Sequence, residues 1–130
     1  MRNQALEEKL QQALNQGHNV WVVGDVHGFH QTVLELCERL ALTENDWVVF
    51  LGDLIDRGPN SFGVVHHVMT HPRMATVKGN HEDMMVKQFT MAKMKQPDLD
   101  VRLWMQNGGK TTLASYLRAH QSTEGKLDEA

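Results

Sequence analysis

The sequence predicts an α/β fold built on a mostly parallel sheet, and three observations carry that prediction. Short apolar runs rich in valine alternate with helical patterns of about ten residues, which is the rhythm of βαβ units. Each run stops at a glycine. The polar clusters that follow recur at intervals of 28 and 27 residues, Asp25 to Asp53 and Asp53 to Asn80, each close to the roughly 30 residues of one strand plus its crossover.

The elements follow in order. Residues 4–14 place Leu6, Leu10, Ala13 and Leu14 at helical spacing, and Gly17 is positioned to stop them. Val20 to Val23 make the first strand. Gln31 to Leu40 form a helix with Val33, Leu34, Cys37 and Leu40 inward, and Trp47 to Leu51 the second strand. Ser61 to Thr70 form a helix that ends before Pro72, and Met74 to Val77 a short third strand. A helix over His81 to Met94 carries Met84, Met85, Gln88 and Met91 along one side until Pro97 breaks it. Val101 to Gln106 resume it until Asn107-Gly108-Gly109, which reads as a helix stop. A final helix over Thr111 to His120 runs into a polar tail at 121–130.

With 130 residues and no linker or repeat, one domain with one core is expected. A net charge of −3 offers no basic stripe for nucleic acid or an anionic membrane. The single cysteine, Cys37, excludes an internal disulfide, and no apolar run is long enough for a membrane span. The expected setting is cytoplasmic.

Three strand ends carry the chemistry: Gly24-Asp25-Val26-His27-Gly28, Gly52-Asp53-Leu54-Ile55-Asp56-Arg57-Gly58 and Gly79-Asn80-His81-Glu82. In open parallel sheets the functional crevice lies outside the carboxyl ends of the strands, so the clusters should meet there. Aspartate, histidine and asparagine supply the oxygen and imidazole donors that suit manganese, iron or zinc. In an extended segment Asp25 and His27 face one side and can share an ion, while Val26 points into the core. Asp53 can bridge that ion to a second one about 3.5–4 Å away, which Asn80 helps hold. A lone aspartate at a strand end would more simply cap a helix; three clusters together favour metal.

GDVHG, GDLIDRG and KGNHE, in this order and spacing, resemble the signature motifs of the calcineurin-like metallophosphoesterases, specifically the phosphoprotein phosphatases of the Ser/Thr type. VKGNHEDMM followed by WMQNGG is most similar to the small bacterial and lambda-type phage members, and the likeness runs from about Val20 to Gly109. The resemblance implies that Asp25 and His27 hold a first metal, Asp53 bridges and Asn80 holds a second, with manganese the expected ion. It implies that His81 is the general acid, oriented by Asp56, and that Arg57 grips the phosphate with its planar guanidinium. A metal-bound hydroxide would attack phosphorus in line. Glu82 reads only as a first-turn acid favoured by the helix dipole and stays outside this site. His66 and His67 point about 100° apart and read as surface positions.

The family pattern also requires later histidines at the second metal and a later arginine on the phosphate. Here the one histidine after His81 is His120, without strand-end signals, so the second metal site is incomplete within these residues. The family fold is a two-sheet α/β/β/α sandwich, of which this chain supplies the βαβαβ half. A half-covered sheet exposes apolar surface and favours a homodimer or poor solubility. Two function classes stand: a metal-dependent protein phosphatase acting on a phosphoprotein or other phosphomonoester, or a truncated, non-catalytic metal-binding module. Within the enzymes, a diadenosine tetraphosphatase-like nucleotide hydrolase is the alternative; Asp56 and Glu82 lean toward the protein phosphatases, since the diadenosine enzymes typically differ at both places.

Overall fold

A computed structural model of the chain describes residues 2–93 and 101–128. Helix α1 (Gln4–Asn15) leads into β1 (Val20–Val23), α2 (His30–Arg39), β2 (Trp47–Phe50), α3 (Ser61–Thr70), β3 (Met74–Thr76) and α4 (Asn80–Lys93). Helix α5 (Val101–Trp104) leads through the turn Met105–Gly109, broken at Gly108, into α6 (Lys110–Asp128). The three strands pair in parallel in the order β1-β2-β3, with Val22 opposite Val49 and Val49 opposite Ala75. This is the expected α/β class.

The core lies on one face of the sheet. Val48, Phe50 and Met74 from the strands meet Val33 of α2 and Val64 and Val68 of α3, all buried together with Val26, Leu54 and Ile55 from the strand-end loops. Both crossovers therefore cover the same side, as right-handed βαβ units must in a sheet of sequential order. Helix α6 packs outside α3. On the opposite face the alternate residues stay open: Val22 is 61% exposed, Leu51 54% and Val77 52%. Among the described residues no helix is long and apolar enough to cross a membrane.

Local signals explain the boundaries. The Asn3 and Asn60 side chains cap α1 and α3 by accepting from Leu6 N and Gly63 N. His71 is extended, as the residue before Pro72 should be, and ends α3. Of Leu6, Leu10, Ala13 and Leu14 at helical spacing in α1, only Ala13 is buried and Leu14 is exposed, because α1 meets little more than the edge strand β1. Asn107-Gly108-Gly109 breaks the helix as expected: Gly108, at φ 104°, leaves the helical region, and α6 starts afresh at Lys110. That last helix runs on to Asp128 rather than ending at His120. The break expected at Pro97 lies outside the described residues.

Candidate active site

The three strand-end loops lie side by side; backbone hydrogen bonds join the first two, and the Glu82 and Asp53 side chains tie the second to the third. Val26 and His27 donate to the Asp53 carbonyl at 3.1 and 2.9 Å, and Gly28 donates to Leu54 at 2.8 Å. Such contact demands glycine where backbones touch. A Cβ on Gly58 would collide with the His27 carbonyl, and one on Gly79 with the backbone and carboxylate of Asp53. Gly24, by contrast, has open space around it. Among the described residues, four of the five non-glycine residues with positive φ sit in these loops: His27 at 46°, Asp53 at 50°, Asp56 at 72° and Arg57 at 70°. Each costs of order 1–2 kcal/mol, so the strain is concentrated where the loops converge.

Each side chain then has a definite place. His27 Nδ1 stands 2.8 Å from the Ile55 carbonyl, which can only accept; the ring proton is therefore on Nδ1 and the Nε2 lone pair is free for a ligand. Asp25, its side chain 66% exposed, brings Oδ2 to 3.6 Å from that Nε2. The expected pairing of Asp25 and His27 is present, but His27 is left-handed rather than extended, so turn geometry and not strand alternation brings them together. Among the described carboxylate and histidine groups, ligand atoms of His27, Asp53 and His81 lie within 4.8 Å of one another. The His27 and His81 rings meet edge to face with centroids 4.7 Å apart.

Asn80 completes the cluster. The end of its amide lies 3.2 Å from Oδ1 and 3.0 Å from Oδ2 of Asp53. In one amide orientation its nitrogen donates to both oxygens; in the other, acceptors face each other, an arrangement that a shared cation stabilises. An available imidazole lone pair, a carboxylate and an amide oxygen, without thiolate, fit a hard-to-borderline divalent metal.

Behind the cluster, His81 Nδ1 donates to Asp56 Oδ2 at 2.8 Å. Asp56 is fully buried. Its carboxylate also accepts from Trp104 Nε1 at 3.0 and 2.9 Å and from Thr112 Oγ1 at 2.7 Å. Arg57 extends to the exposed surface, its backbone N–H held by the Gly108 carbonyl at 3.2 Å. The Asn107-Gly108-Gly109 kink thus lies against the second motif.

Sequence reasoning missed three residues here. Glu82 is no simple dipole residue: its carboxylate accepts from Asp53 N at 2.8 Å, Leu54 N at 2.7 Å and Gly79 N at 2.9 Å. The legible part was the bond to Gly79, three residues back, which is half of a capping box. Trp104 and Thr112 carried no comparable signal, although a buried indole requires a partner for its N–H.

Residues 18–123 match the calcineurin-like phosphoesterase family. The chain belongs to this family. Among curated relatives, it is 35% identical to serine/threonine-protein phosphatase 2 of Escherichia coli strain K12, over 75% of this chain and 43% of that one. It is 36% identical to serine/threonine-protein phosphatase 1 of Salmonella typhimurium, over 84% of this chain and 46% of that one. It is also 31% identical to a symmetrical bis(5'-nucleosyl)-tetraphosphatase of Coxiella burnetii, over 63% of this chain and 28% of that one. The chain thus spans about half the length, or less, of these curated relatives.

Proposed function

We propose that this chain carries the strand-end half of the active site of a divalent-metal phosphoester hydrolase, a Ser/Thr-type protein phosphatase. The observation that carries the reading is the convergence of His27, Asp53 and His81, with His81 backed by buried Asp56. In this reading Asp25 and His27 hold one metal ion, Asp53 bridges and Asn80 holds the second, with manganese the ion of choice. When bound, the ions supply Lewis acidity to the phosphoryl group and acidify water toward neutral pH. The chain's own groups do the rest. Asp56 keeps the His81 proton on Nδ1 and stabilises the ring when it is charged, so that Nε2 can deliver a proton to the leaving alkoxide. Arg57, at the exposed rim, binds the phosphate oxygens as a planar fork. A half-buried lone cysteine, Cys37, suits a reducing, cytoplasmic setting, and the open face of Val22, Leu51 and Val77 supports self-association.

Nucleotide hydrolysis is the second reading, favoured by the tetraphosphatase relative. The test is turnover with Mn2+, on this chain and on a form extended to the relatives' length. Metal-dependent hydrolysis of p-nitrophenyl phosphate, with kcat/KM higher for a phosphoserine peptide than for diadenosine tetraphosphate, is expected. The reverse preference replaces the first reading with the second, and no metal-dependent turnover in the extended form defeats both.

A further inference from the structure

We propose that Glu82 is the positioning residue that fixes the distance between Asp53 and Asn80, and with it the affinity of the site for metal. The inference rests on the metal reading above. Its two oxygens accept backbone N–H groups from two loops on adjacent strands: Asp53 and Leu54 after β2, and Gly79 after β3. Asp53 and Asn80 each adjoin or contain one of these donors, so the carboxylate ties together the two loops that bring their side chains to 3.0 Å. It also holds Asp53 in its left-handed backbone conformation, with φ at 50°. A carboxylate that locks the orientation of metal ligands without itself touching the metal typically controls metal affinity by about 10–100-fold.

Asp83 provides the internal comparison. It shares the first turn of α4 with Glu82 and so has the same relation to the helix dipole, yet it pairs outward with Lys78 at 2.8 Å and Lys87 at 2.6 Å. A residue serving only the helix would behave like Asp83. Glu82 differs in that its partners are all backbone donors of the motif loops. Because those partners only donate, glutamine is not a conservative substitute: one oxygen becomes an NH2 group facing N–H donors.

The test measures Mn2+ affinity by calorimetry, with amide hydrogen exchange at Asp53, Leu54 and Gly79. Glu82→Gln is expected to weaken Mn2+ binding about 10–100-fold and to speed exchange at those three amides, while Asp83→Asn stays within about threefold of the parent. Should Glu82→Gln fail to fold, Glu82→Asp keeps both oxygens one methylene short, and the same direction of change is expected. A folded Glu82 variant with parental Mn2+ affinity overturns the inference and leaves the metal reading standing. A parent chain without Mn2+ binding overturns the metal reading itself.

Discussion

Asp56 and His81 form a buried pair, Oδ2 to Nδ1 at 2.8 Å, whose carboxylate is held from behind by donors of α5 and α6. Those helices lie far along the chain, yet they fix the group that orients His81. His81→Asn should therefore slow alkyl phosphates with poor leaving groups by about 10²–10⁴-fold and good aryl leaving groups far less. Asp56→Asn should follow the same pattern. Equal losses across a leaving-group series would refute an acid role for His81.

Trp104→Phe keeps the ring that packs on Gly109 and meets Phe89 edge to face, but deletes the N–H that Asp56 accepts. Leaving a buried acceptor short of a donor should cost about 1–3 kcal/mol in urea unfolding. Trp21→Phe, on an exposed strand position, should stay within about 0.5 kcal/mol.

Gly58→Ala should destabilise by about 2 kcal/mol or more, because the new methyl meets the His27 carbonyl, a backbone atom that cannot swing away. Gly24→Ala, with open space at the same kind of strand end, should change stability by no more than about 0.5 kcal/mol. Equal effects from both substitutions would contradict the close approach of the first two loops.

The buried carboxylate of Asp46 accepts from Thr43 N at 3.0 Å and Asn19 N at 2.8 Å, joining the start of β1 to the turn before β2. These backbone donors hold its carboxyl below the ordinary value of 3.8. With the folded value depressed, the unfolded chain binds the proton first on acidification. The stabilisation is fully present above about pH 4 and is lost as pH falls through the folded value. Thermal melts between pH 7 and pH 2.5 should show Asp46→Asn less stable at pH 7 and less sensitive to acid than the parent; parallel curves would refute the assignment.

The sheet and its crossovers were legible because each strand is a valine-rich run ending at glycine, and buried parallel strands need little else. Asp25, His27, Asp53, Asn80 and His81 were legible as strand-end polar groups at crossover spacing. What holds them was not. Glu82 acts on backbone amides as far as 29 residues away, and Trp104 and Thr112 reach Asp56 across 48 and 56 residues, contacts that no local periodicity encodes. In α1 helical spacing shows which face is apolar, but only the packing partner decides how much of it is buried.

That these three loops make one metal site is tested most directly by Mn2+ titration of the purified chain, with Asp53→Asn beside it. Saturable binding in the parent that weakens by at least about tenfold in a folded Asp53→Asn variant is the expected result. No saturable binding by the parent, or the same affinity in both proteins, would contradict it.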